Sequence, residues 1–84
     1  MSYYAYILQS EKDKRYYIGS CSDLVARLDF HNKGLQRSTC HRIPFILVYS
    51  EMFETKAAAL AREKQIKSYK GGNAFRKLFE GGTA

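Results

Sequence analysis

Apolar and polar positions alternate differently in successive parts of this chain. Residues 3–9, Tyr-Tyr-Ala-Tyr-Ile-Leu-Gln, are strand formers that place Tyr4, Tyr6 and Leu8 on one face and Tyr3, Ala5 and Ile7 on the other. Both faces are apolar, which predicts a central strand. The charged segment Ser10-Glu11-Lys12-Asp13-Lys14 predicts an exposed hairpin loop, with Arg15 to Ser20 returning antiparallel to the first strand. Symmetric closure of that loop sets Tyr6 opposite Tyr17. Directly opposed residues of an antiparallel pair share a face, so the two phenols project to the same side. A slip of one residue would part them.

After Gly19, Ser22 or Asp23 offers a side-chain oxygen to the free amides of a helix. Leu24, Arg27, Leu28 and His31 fall at i, i+3, i+4 and i+7 of that helix. A stripe that should be core thus carries a guanidinium and an imidazole beside two leucines. Snorkelling of Arg27 to solvent and the helix dipole at His31 would account for both structurally. Asn32-Lys33-Gly34 is a stop signal, with Gly34 suited to the left-handed conformation. Residues 35–44 form a polar, basic connection holding Arg37, Ser38, Thr39, His41 and Arg42, suited to a partner's phosphates or to plain solvation. Pro44 closes it. Phe45-Ile46-Leu47-Val48-Tyr49 is a continuous apolar run, which predicts a third strand buried on both faces.

Thr55 is placed to cap a helix running from Lys56 to about Tyr69. With Ala59 at the centre of its inward face, Leu60, Glu63, Ile66 and Tyr69 lie in the same arc. A carboxylate there needs a cation, a donor or a metal, unless it escapes to the helix edge. A basic residue such as Arg27 would serve. Lys70-Gly71-Gly72 ends this helix, and Asn73 can cap a last short one carrying Phe75, Leu78 and Phe79 on one side. The pattern predicts one α+β domain over residues 1–80, with 81–84 a frayed tail.

With 84 residues the chain supports a single small core. Seven tyrosines and five phenylalanines among 45% apolar residues argue against disorder. Fourteen Lys and Arg against eight Asp and Glu leave a charge of +6, which attracts polyanions, nucleic acid first, or an acidic protein. No apolar run is long enough to cross a bilayer and no signal peptide is evident, so a cytoplasmic protein away from membranes is expected. Cys21 and Cys40 are expected to be free thiols. With His31 and His41 they match a zinc inventory, but Cys21 stands alone and Cys40-His41 are adjacent, unlike the close ligand pairs of structural zinc sites.

Tyr4-Ala5-Tyr6, then Tyr17-Ile18-Gly19, then Ser22-Asp23-Leu24 leading to Arg27-Leu28 form a series that continues with His31-Asn32-Lys33-Gly34, Pro44-Phe45 and Ala61-Arg62-Glu63-Lys64-Gln65-Ile66-Lys67. Over essentially its whole length this series resembles the GIY-YIG nuclease family, specifically its short stand-alone bacterial members. The first half-motif lacks the glycine and the isoleucine but keeps Tyr6. The resemblance implies a three-stranded antiparallel sheet flanked by helices, in the order β-β-α-β-α-α. It also implies one active site containing Tyr6, Tyr17, Arg27, His31 and Glu63, which hydrolyses DNA phosphodiester bonds with one divalent ion.

In that site Glu63 would hold Mg2+ or Mn2+, and Arg27 would clamp non-bridging phosphate oxygens. Tyr17 or Tyr6 would orient or deprotonate the attacking water, and His31 would relay its proton or bind phosphate. A free phenol titrates near about 10, so a base role needs a cation beside it, either Arg27 or the metal. Arg37, His41, Arg42, Lys67, Lys70 and Asn73 are expected DNA contacts, Asn73 because many family nucleases carry an asparagine after the metal-binding glutamate. Larger relatives attach a separate domain that finds DNA. Its absence here implies weak binding, a homodimer or a targeting partner. The expected activity is an endonuclease acting on branched or damaged DNA in repair or recombination. The alternatives are a non-catalytic nucleic-acid-binding module on the same scaffold and a basic protein-interaction domain.

Overall fold

A computed structural model describes residues 2–37, 39–69, 72, 75, 77 and 78. Strands β1 (Tyr3–Ser10), β2 (Tyr16–Cys21) and β3 (Phe45–Phe53) form one antiparallel sheet in the order β2-β1-β3. Helix α1 (Leu24–Asn32) follows β2, and helix α2 (Lys56–Ser68) follows β3. The fold is α+β in the order β-β-α-β-α, as expected. The last short helix was expected to start at Asn73, which lies outside the described residues.

The two-sided apolar β1 is the central strand, and Ala5, Tyr6, Ile7 and Leu8 are all sealed from solvent. Its register with β2 differs from symmetric closure at Tyr6 and Tyr17: Tyr6 pairs with Gly19, and Leu8 with Tyr17. The cause is Ser10, which ends the strand instead of opening the loop. Its amide bonds Arg15 O at 2.9 Å, while its hydroxyl oxygen accepts from the amides of Lys12 and Asp13 at 3.1 and 3.2 Å. The hairpin therefore closes further along, and β2 starts at Tyr16 instead of Arg15. The offset is two residues, so side-chain parity holds and Tyr6 and Tyr17 still share a face.

The expectation of a doubly buried third strand fails. β3 is an edge strand running to Phe53, with Ile46 and Leu47 exposed by 42% and 39%. Helix α2 lies mainly across β2 and β1, which leaves the outer strand only partly covered. The core is correspondingly split by the sheet. On one face Tyr6, Leu8 and Phe45 pack with Tyr17, Leu24 and Leu28, bringing in α1. On the other, Ile7, Ile66 and Phe75 pack with Ile18, Val48 and Tyr69, bringing in α2. Full burial of a side chain such as Ile66 contributes about 1.5–3 kcal/mol. Ala59 and Ile66 face inward as predicted, but Leu60 is exposed. One residue on from Ala59 turns it roughly 100° around the helix, beyond the stripe the sheet covers.

Local signals act as read. Of the two cap candidates it is Asp23 that caps α1, accepting from Ala26 N at 3.0 Å, and Thr55 caps α2 through Ala58 N at 3.1 Å. Gly34 turns the chain out of α1 with a φ of +73°. The 35–44 connection is then stapled to the body. Asn32 Nδ2 donates to Phe45 O at 3.0 Å and its Oδ1 accepts from Phe45 N at 2.6 Å. Ser10 Oγ donates to Arg42 O, and Glu11 N to Pro44 O at 2.9 Å. Across the other layer Arg62 Nε and the Tyr49 hydroxyl both donate to Glu51 Oε2, tying α2 to β3. Among the described residues no helix is long and apolar enough to cross a membrane. Cys21 and Cys40 are free thiols.

Candidate active site

The β1–β2 pairing and α1 bring three rings together. Tyr6 and Tyr17 lie 6.3 Å apart between centroids, and the His31 ring stands 4.7 Å from Tyr17 and 6.5 Å from Tyr6. The Tyr6 hydroxyl is 3.4 Å from His31 Nε2. On the other side of the imidazole, Nδ1 is 3.2 Å from Thr39 Oγ1, whose hydroxyl is 3.5 Å from Gln36 O. The Gln36 side chain donates to the Tyr17 oxygen at 3.3 Å. His31 and Thr39 are buried, and Tyr17 is half-buried. Gln36 was not singled out from sequence and Thr39 only as part of a polar connection, because a polar loop carries no local signature of which ring it will face.

Electrostatics sorts these groups. Burial pushes the Tyr6 phenol well above the ordinary tyrosine range. The neighbouring Tyr17, Cys21 and Glu63 add to this, and Arg27 opposes it. Tyr6 therefore keeps its proton at neutral pH. Burial first, then the Arg27 charge, lowers the pKa of His31, so its imidazole is neutral. Neither group rests charged.

Arg27, one turn before His31 on α1, is exposed, with its guanidinium carbon 5.6 Å over the Phe30 ring. Together with Cys21, Ser22, Asp23, Ala26 and Phe30 it lines an open pocket of about 460 Å³ at the start of α1. Glu63 comes from α2, in the layer on the other face of the sheet. Its Oε2 is 2.7 Å from Lys67 Nζ, so its cation is the lysine one turn on and not Arg27. The carboxylate nevertheless lies within electrostatic reach of the Tyr6 phenol. Tyr6, Tyr17 and His31 are thus joined by contact, whereas Arg27 acts on Tyr6 and His31, and Glu63 on Tyr6, through their charges.

Glu63 has the chemistry of a hard-cation ligand. It is a half-buried carboxylate held by a lysine that is itself 53% exposed, a pairing of about 0.3–0.5 kcal/mol. Among the described residues no three His, Cys, Asp or Glu side chains converge. One carboxylate oxygen suits Mg2+ or Mn2+, which keep most of their waters and complete their shell with phosphate oxygens.

The expected DNA contacts fare unequally. Arg37 and His41 are exposed. Arg42 is engaged inside the fold, donating to Asp13 Oδ2 at 3.1 Å and lying over Phe45. Lys67 is occupied by Glu63. Lys70 and Asn73 lie outside the described residues.

A three-stranded sheet that presses two strand-borne phenols against a helix-borne imidazole, below an exposed guanidinium, has the form of a small nuclease domain. The profile of the GIY-YIG catalytic domain matches residues 2–75. The chain belongs to the GIY-YIG family, a nuclease superfamily. It is 44% identical over 69 residues to the UPF0213 protein of Staphylococcus aureus strain Mu3, covering 81% of this chain and 83% of that one. The UPF0213 protein of strain MW2 matches equally. The solution NMR structure of a UPF0213 protein from Bacillus halodurans superposes with a TM-score of 0.52 at 29% identity, over 92% of this chain and 80% of the other.

Proposed function

We propose that this protein is a divalent-metal-dependent endonuclease that hydrolyses DNA phosphodiester bonds. The observation that carries the reading is the sealed contact between the Tyr6 hydroxyl and a neutral His31, with the exposed Arg27 guanidinium one turn away. A neutral imidazole beside a protonated phenol is a proton acceptor in waiting, and a free guanidinium is a phosphate clamp.

Arg27 binds the non-bridging oxygens of the scissile phosphate and offsets the charge that builds on them. Tyr17, the half-exposed phenol held by Gln36, orients the attacking water. The neutral His31 imidazole, whose ring stands 4.7 Å from Tyr17 and whose Nε2 meets Tyr6, is the group that takes up the proton. Glu63 would hold Mg2+ or Mn2+, which supplies positive charge at the phosphate and the leaving oxygen when bound. The net charge of +6 and the exposed Arg37 and His41 support binding through the DNA backbone, so substrate shape, branched or damaged, sets the preference. A role in cytoplasmic DNA repair or recombination fits such a substrate. A second copy or a partner protein would supply targeting.

Purified protein is expected to nick DNA with Mn2+ or Mg2+ across a panel of plasmid, single-stranded and branched substrates. Arg27→Ala and Glu63→Ala are expected to abolish nicking with the circular dichroism spectrum unchanged. Cutting undiminished in both variants overturns the proposal. Salt-sensitive binding that never leads to cutting selects the non-catalytic binding module instead, a reading favoured by the Lys67 ammonium already seated on Glu63.

A further inference from the structure

The imidazole of His31 is bonded at both nitrogens inside a region closed to water: Tyr6, His31 and Thr39 are exposed by 1%, 0% and 1%. Proton directions in this chain follow from counting donors and acceptors. Suppose the Thr39 hydroxyl donated to His31 Nδ1. Nε2 would then carry the proton and donate to Tyr6, and the Tyr6 hydroxyl proton would have no acceptor among the described residues. The reverse order gives both ring nitrogens and the Tyr6 hydroxyl a matching partner. Tyr6 O–H donates to Nε2 at 3.4 Å, Nδ1–H donates to Thr39 Oγ1 at 3.2 Å, and the Thr39 hydroxyl is turned toward Gln36 O at 3.5 Å, a carbonyl that also accepts from the amides of Thr39 and Cys40 at 3.1 and 2.9 Å.

We infer that Thr39 is a positioning residue of this site: its hydroxyl oxygen keeps the His31 proton on Nδ1 and so presents a bare Nε2 to the Tyr6 phenol. Without that oxygen the Nδ1 proton loses its acceptor, and the tautomer it held loses its main advantage. The same short segment also steadies Tyr17, because Gln36 anchors Thr39 through its carbonyl and holds the Tyr17 oxygen through its side chain. A stretch of the connection that reads as solvated loop therefore orients both phenol partners of the site. The catalytic consequence rests on the nuclease reading above, whereas the tautomer does not.

The test is long-range proton–nitrogen NMR on the full chain labelled with 15N-histidine, at pH 7.5. Wild-type His31 is expected to show a protonated Nδ1 and a bare Nε2. In Thr39→Val, which keeps the shape and removes the oxygen, the proton is expected to redistribute toward Nε2, and Thr39→Ser is expected to restore the original pattern. In the cleavage assay Thr39→Val is expected to lower kcat about 10–100-fold, by analogy with loss of the orienting partner of a metal-bound histidine, with KM for DNA within about twofold and Ser rescuing. A wild-type His31 protonated on Nε2 overturns the inference, as does an unaltered tautomer in folded Thr39→Val. The wild-type spectrum decides even if the valine variant does not fold. If no variant or wild-type protein cuts DNA while the tautomer behaves as stated, the nuclease reading falls and the positioning role stands.

Discussion

Gly19 lies directly beneath Tyr6 in the sheet: a Cβ placed on it would stand 2.6 Å from the Tyr6 hydroxyl oxygen and 2.8 Å from its Cζ. The two are cross-strand partners, and the absent side chain is the space into which the ring folds on its way to His31. Tyr17 Cε1, at 3.2 Å, closes the third side. Gly19→Ala must therefore displace a buried ring whose neighbours are fixed. The expected cost is about 1–3 kcal/mol in urea denaturation, typical of overpacking, together with loss of DNA cutting as Tyr6 leaves Nε2.

Stability is expected to fall with acid in a window set by His31. Its folded pKa is depressed below the ordinary 6.5, so below that pH the unfolded chain binds a proton that the folded chain refuses. The contribution is intact above about 6.5 and is lost as the pH drops toward the folded value. Urea midpoints measured from pH 8 to pH 5 would show the decline. His31→Gln, which does not titrate, is expected to flatten it.

Asn32 acts as a short length of strand, matching both backbone groups of Phe45 with its amide. Asn32→Ala leaves that amide and carbonyl without partners at the start of β3. The expected loss is about 1–3 kcal/mol by chemical denaturation. Asn32→Asp keeps an acceptor for Phe45 N but sets a carboxylate oxygen against Phe45 O, so it is expected to be destabilising as well.

Lys67 sits on Oε2 of Glu63, so on the metal-dependent reading its ammonium opposes a cation at the same carboxylate. Removing it by Lys67→Ala is expected to tighten Mn2+ binding about twofold in calorimetric titration, the factor equivalent to an exposed i,i+4 ion pair of about 0.4 kcal/mol. The variant is expected to melt within a few degrees of wild type. Unchanged or weaker Mn2+ binding would mean the lysine does not gate the carboxylate.

What the chain's residues determined alone is what neighbours in sequence decide. The strand–turn–helix start, the caps at Asp23 and Thr55, the left-handed turn at Gly34 and the central place of β1 each depend on a few adjacent side chains or on a run apolar on both faces. The shared face of Tyr6 and Tyr17 was legible for the same reason, since strand parity survives a two-residue shift, whereas the register waited on where the Ser10 hydroxyl closes the hairpin. Only the tertiary structure made β3 an edge, turned Leu60 outward and sealed His31 between Tyr6 and Thr39. The surface each residue faces, and the donor that meets each buried ring, come from layers packed across long sequence separations. Hydrophobic period along one element carries no record of what the other layers cover.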